Sequence, residues 1–188
     1  METYIALLRG INVSGQKSVR MDELKLLMEQ LGFDKVETYI QSGNVVFFAE
    51  KTDPGMLAER ISKKISDKYG FLVPVIIRSE NEIKTVPENN PFLKNNKTGL
   101  NKLYVTFLAE SPDQKRIIAL KEYDPTSNSF RIVGKEIYLC LPEGYGKTKW
   151  SNTFFENKLK VTASSRNWAT VLQLVTMSAN SSDPEFKN

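Results

Sequence analysis

Residues 35–49 read KVETYIQSGNVVFFA. Ser42-Gly43 is a turn signal between two strand-forming runs, Lys35–Gln41 and Asn44–Ala49, so the stretch reads as a β-hairpin. Upstream of it, Met21, Leu24, Leu27, Met28 and Leu31 recur at helical spacing, and Gly32 stops that helix. Downstream, Asp53-Pro54 supplies an N-cap and a proline at the first helical position. Leu57, Ile61 and Ile65 then form an apolar stripe that Gly70 ends. Thr3–Leu8 and Val73–Arg78 are short apolar runs that close the set as outer strands. The order is βαββαβ.

The second half starts the same order again after a polar, turn-rich linker, Glu88–Asn101. Lys102–Ala109 is a strand, and Ser111-Pro112 caps a helix running to about Tyr123. Asn128–Val133 and Glu136–Leu141 pair around Gly134-Lys135. A helix near Ser151–Leu159 and an extended piece near Val161–Ala163 follow. A last helix carries Trp168, Val171, Leu172 and Val175 on one face. The fold class expected is α+β: two ferredoxin-like α-β plaits with an extra C-terminal helix. The first plait spans 1–95 and the second, with the helix, 96–177; residues 178–188 are expected to be a disordered tail.

Tyr4–Leu8, Val45–Phe48, Val75–Ile77 and Ile137–Leu141 are apolar on successive residues, hence on both sheet faces. A plait covers one face with its helices, so the other face is expected to be buried too, against its counterpart or across a homodimer.

Composition excludes several chemistries. The chain of 188 residues has no histidine and one cysteine, Cys140. Ser-His-Asp, Cys-His and His-metal sites are thereby ruled out, as are internal disulfides and multi-thiolate zinc. No cofactor or metal is expected, and Cys140, inside an apolar strand, reads as an inert core residue. No apolar run approaches the length of a membrane span and no leader precedes Thr3. The protein therefore reads as cytoplasmic, with no membrane partner.

The net charge of +4 is uneven. Residues 1–95 carry 13 basic and 13 acidic side chains, whereas residues 96–188 carry 13 and 9. Between Gly144 and Trp168 stand Lys147, Lys149, Lys158, Lys160 and Arg166 against Glu156 alone. Such a cluster attracts phosphate groups.

The strings LLRGINVSG (7–15), TYIQSGNVVF (38–47) and KWSNTFFENKL…ASSRNW (149–168) resemble the signatures of a widespread bacterial family, domain of unknown function 1697. That family's usual first motif has Gly-Gly where this chain has Ser14-Gly15. The resemblance runs to about Met177 and implies paired α-β plaits. It implies no activity, substrate or catalytic residue.

Short motifs offer less. Gly146-Lys147-Thr148 lies between a strand and a helix, yet the first glycine of a P-loop would fall on Leu141. Ser14-x-x-Lys17, Ser42-x-Asn44 and Lys97-Thr98-Gly99 stand in penicillin-binding order, which makes Ser14 or Ser42 a nucleophile and Lys17 its base in a hydrolase alternative. The third strands, NVVFFAE and EIYLCL, lack the glycine-aromatic pattern of an RNA-recognition motif, so Phe47, Phe48 and Tyr138 read as core.

The function expected is binding rather than catalysis. The ligand is an anionic, phosphate-bearing small molecule or a nucleic acid, contacted by Lys147, Lys149, Asn152, Arg166 and Asn167. Arg9, Asn12, Gln41, Ser42 and Asn44 form a second polar cluster, where the first strand's end meets the hairpin turn. A structural protein that dimerises through its sheets is the third alternative.

Overall fold

The computed structural model describes residues 1–13, 15–93, 99–124 and 129–181. Ser14, Lys97 and Thr98 of the hydrolase alternative therefore lie outside the described residues. The chain divides into two compact units, Met1–Lys84 together with the chain from Gln173, and Thr85–Leu172. The sequence places its division at 95/96. The compact units instead part inside the third and sixth helices.

The first unit runs β1 (Glu2–Leu8), α1 (Met21–Gln30), β2 (Asp34–Tyr39), β3 (Asn44–Ala49), α2 (Pro54–Tyr69) and β4 (Val75–Ser79). Its antiparallel sheet has the order β2-β3-β1-β4. Asp53 caps α2 by accepting from the Met56 N–H, and Gly70 ends it at φ +77°. Helix α3 (Glu80–Glu88) follows, with Ile83 and Val86 buried. It takes the first residue of the stretch read as a linker.

The second unit repeats the plan. It runs β5 (Leu103–Leu108), α4 (Gln114–Leu120), β6 (Phe130–Val133), β7 (Glu136–Cys140), α5 (Asn152–Leu159) and β8 (Ala163–Asn167), then enters α6 (Trp168–Ser181). The sheet order is β6-β7-β5-β8, the same permutation as in the first unit. Two α-β plaits are thus present, each followed by a helix.

Three local expectations are corrected. The cap of α4 is Asp113, which accepts from the Lys115 and Arg116 N–H groups, not Ser111. The last extended piece is longer and later than Val161–Ala163, because β8 pairs along β5 from Leu108↔Ala163 to Tyr104↔Asn167. Helix α6 continues through Ser181, so residues 178–181 are helical, and its buried side is Trp168, Val171, Leu174 and Ser178. Leu172 is 40% exposed and lies off that stripe.

Both faces of each sheet are buried. Tyr4, Ala6, Leu8, Val45, Phe47 and Ile77 pack in the helix-side core of the first unit. Ile5, Leu7, Val46, Ile76 and Arg78 alternate with them and are equally buried. In the second unit Leu108, Ile137, Leu139 and Ala163 face the helices. Leu103, Val105, Phe107, Tyr138 and Arg166 fill the opposite face. Phe48 is only half-buried, with the Lys35 ammonium 4.7 Å from its ring centroid. Cys140 is half-buried.

The two units place an arginine at the same register. Arg78 stands across from Ile5, and Arg166 across from Val105. Each donates from Nη1 to the preceding carbonyl, Ile77 at 3.0 Å and Ser165 at 2.8 Å.

The hairpin turn is held by a close approach of backbone to side chain. Gly43 has φ +76°, and its carbonyl accepts from the Leu8 N–H at 2.8 Å. A Cβ there would lie 2.7 Å from Leu8 Cβ and 2.8 Å from Ile11 Cδ1. Gly70 shares the positive φ but has open space around it. Gly43→Ala is expected to cost at least about 2 kcal/mol, combining strain with overpacking, and Gly70→Ala roughly 1 kcal/mol. Equal losses in urea unfolding would show that the contact with Leu8 is unimportant.

Candidate functional site

The loop between β7 and α5 is built around an aromatic anchor. Trp150 is buried against Phe130, ring centroids 4.8 Å apart, and against Phe154 at 5.1 Å. Its N–H donates to Thr148 Oγ1 at 3.1 Å. At the loop's start the Leu141 N–H donates to the Lys102 carbonyl. Pinned at both ends, the loop leaves Lys147 and Lys149 exposed, with Lys149 Nζ 4.5 Å from the Trp150 ring centroid. A short 3-10 turn, Tyr145–Lys147, precedes Thr148, and α5 begins only after Ser151 caps it by accepting from the Phe154 N–H. Gly146-Lys147-Thr148 therefore does not open the helix as a P-loop would.

Beneath the loop lies a hydroxyl network that sequence reasoning missed. Ser165 on β8 donates from Oγ to Asn152 Oδ1 at 2.7 Å. Tyr145 donates its hydroxyl to Ser165 Oγ at 3.0 Å, and Thr106 Oγ1 lies 2.6 Å from the same oxygen. A serine hydroxyl has one hydrogen and two lone pairs. With its hydrogen given to Asn152, Ser165 accepts from both Tyr145 and Thr106 and is saturated. In this arrangement Asn152 presents Oδ1 to Ser165 and turns Nδ2 away from it.

Several donors face outward at the junction, in a loop that also exposes Glu143. They are the Lys147 and Lys149 ammoniums, Asn152 Nδ2, and the first N–H groups of α5, which have no acceptor inside the helix. These donors match a ligand rich in acceptors, such as phosphate, sulfate or carboxylate.

Arg166 does not join this set as the sequence suggests. Arg166 follows Ser165 by one residue and so points to the opposite sheet face, where it is buried. It donates to Ser164 Oγ at 2.8 Å, and burial pushes its pKa down to about 10. Asn167 lies on the helix side, but its Oδ1 accepts from the Thr170 N–H and serves to start α6.

The second polar cluster is brought together at the loop end of the first unit, largely as scaffold. Asn12, at φ +55°, donates from Nδ2 to the carbonyls of Val19 (2.9 Å) and Gln41 (2.8 Å). Its Oδ1 accepts from the Val19 N–H at 2.8 Å. Asn44 is buried and donates from Nδ2 to the Tyr39 carbonyl and to Ser42 Oγ. The Arg9 N–H donates to the Pro74 carbonyl. Lys17 Nζ donates to the Leu72 carbonyl at 2.8 Å, which is not the contact that a base for Ser42 would need.

Among the described residues no group of His, Cys, Asp or Glu could hold a metal ion, and no helix is long and apolar enough to cross a membrane. A hollow of about 610 Å³ in the first unit mixes Lys25 and Lys35 with Glu29 and Glu37, so it has no preferred charge.

The family model described as Protein of unknown function (DUF1697) matches residues 1–138. The chain is similar in structure to conserved bacterial protein SP0830 from Streptococcus pneumoniae. The TM-score is 0.69 and the identity 25%, over 95% of this chain and 99% of that one. No curated protein matches.

Asn12 offers a direct check on its scaffold role. Asn12→Ala removes three hydrogen bonds and is expected to cost about 2–3 kcal/mol. Amide exchange should quicken at Val19, whose N–H loses its acceptor. An unchanged unfolding midpoint would return Asn12 to the pool of ligand contacts.

Proposed function

Because the chain belongs to the DUF1697 family, whose description names no activity, we propose from its geometry that it binds a small anionic ligand bearing a phosphate or similar oxyanion, at the β7–α5 junction. The observation that carries this is the saturated Ser165 hydroxyl, which holds Asn152 with its amide N–H₂ outward beside Lys147 and Lys149. Anion sites depend on pre-set donors because a donor already oriented loses little freedom on binding. Two ammoniums on a surface loop supply attraction, but it is screened by salt. The Asn152 amide and the helix N-terminus supply direction.

Catalysis is not needed to explain the arrangement. None of the three hydroxyls around Ser165 is next to a group able to take its proton, since the acceptors in the network are an amide oxygen and other hydroxyls.

Calorimetric titration with inorganic pyrophosphate as the probe tests the assignment. Lys147→Ala with Lys149→Ala is expected to weaken binding at least about tenfold, the scale of two lost charge-assisted contacts. Asn152→Asp replaces the donor by an acceptor carrying negative charge and should abolish it. Ser165→Ala, which frees Asn152 to rotate, should weaken binding by a smaller factor with both lysines intact. If all three variants bind pyrophosphate as the parent chain does, the ligand does not sit at this junction.

A further inference from the structure

The two units form an internal control for loop length. The second joins its first strand to its first helix with residues 109–113, whereas the first unit uses residues 9–20 for the same connection. The plait therefore does not require the longer loop. That loop is tied to its neighbours through Asn12 to Gln41 and through Lys17 to Leu72. Residues 9–13, 15–20, 40–43 and 70–74 are thus gathered at one end of the unit.

This end exposes three aliphatic side chains. Val13 is 59% exposed, Ile40 49% and Leu72 69%. Ile40 also has φ +48°, a conformation that a β-branched residue occupies under strain and that Asn or Gly accepts more easily. The fold gains no backbone ease from isoleucine there. The three segments carry Arg9, Lys17 and Arg20 and no acidic residue. The next acids along the chain, Asp22 and Glu23, are engaged by Arg20 and by Lys68. The Lys17 ammonium is held 2.8 Å from the carbonyl of Leu72, the most exposed of the three aliphatic residues, so cation and apolar tip are joined.

We propose that this loop end docks reversibly on an anionic lipid surface, with Val13, Ile40 and Leu72 entering the acyl boundary and Arg9 and Lys17 meeting the headgroups. The chemistry of the tips selects this occupant. Protein hot spots favour Trp, Tyr and Arg and are poor in Leu and Val. Single-stranded nucleic acid is held by exposed aromatics on which bases stack. Isolated aliphatic side chains beside cations suit a bilayer interface, where apolar insertion and attraction to anionic lipid add. A sequence search for apolar runs cannot find such a surface, because its three residues come from three loops.

Co-sedimentation of the full chain with vesicles tests the proposal. One set is phosphatidylcholine alone and the other contains phosphatidylglycerol as well. Binding is expected only to the second set, and it should weaken as salt is raised. Ile40→Asn with Leu72→Gln should reduce binding at least about tenfold, since each tip inserts several methylene groups. The double variant should not melt earlier than the parent, because neither side chain packs in the core and Asn relieves strain at position 40. No binding to either vesicle set overturns the proposal. Equal binding by the double variant also overturns it, showing adsorption by charge alone. So does loss on Lys147→Ala with Lys149→Ala instead, which would place the contact on the second unit.

Discussion

A guanidinium left in an apolar interior without acceptors is among the most destabilising groups a fold can carry. This chain buries two, Arg78 and Arg166, at matching register in its two sheets. Each donates an Nη1–H to the carbonyl one residue back. Arg166 adds Ser164 Oγ as a further acceptor. Its lowered pKa records the remaining desolvation, which opposes the charged form in the folded state. That opposition is constant while arginine is protonated in both states and is relieved only as pH climbs past about 10. Near neutral pH the surrounding apolar residues must therefore outweigh it. Leu103, Val105, Phe107 and Tyr138 are buried on the same face, and fully burying a side chain of this size stabilises by about 1.5–3 kcal/mol.

Burial on both faces removes the sheet as a recognition platform. A plait with one open face can present aromatics to bases or peptides, but here Phe47 and Tyr138 are interior. Recognition is left to the strand ends and loops, and the duplicated plan shows how far these can diverge while the strand order stays fixed. At one end the first unit has a long cationic loop, while the second has a short one that includes Glu110 and Asp113. At the other end the second unit has Lys147 and Lys149 over a hydroxyl network, while the first has Glu2, Lys51, Ser79 and Glu80 around a hollow of about 460 Å³.

Much of the architecture was legible because its signals are local. Ser42-Gly43, Asp53-Pro54 and Gly70 each fix a turn, a cap or a stop through the residue's own backbone chemistry. The errors also have local causes. Ser111 and Asp113 are both capping types two residues apart, and only the chain's path decides which accepts the first N–H groups. Helix α3 hid in an acidic stretch containing Pro87, a residue usually read as a stop. Leu172 falls at i+4 from Trp168 and so fits a helical stripe, yet the buried side of α6 runs through Leu174 instead.

The site was half legible for a similar reason. Lys147 and Lys149 stand close together in a basic stretch, so charge counting finds them, and Asn152 follows within three residues. Thr106, Tyr145 and Ser165 come from two strands and a loop, and nothing in their own sequence neighbourhoods marks them as partners. Arg166 was grouped with the lysines because basic residues near each other in sequence invite grouping. A strand reverses that inference at every step: Ser165 and Arg166 share a peptide bond and face opposite ways. A polar side chain is open to a ligand only if its own hydrogen-bond capacity is not already spent. By that measure Asn12 is spent, with both its amide nitrogen and its oxygen bonded within the unit. Asn152 has only its oxygen engaged, which leaves the amide nitrogen for an incoming acceptor.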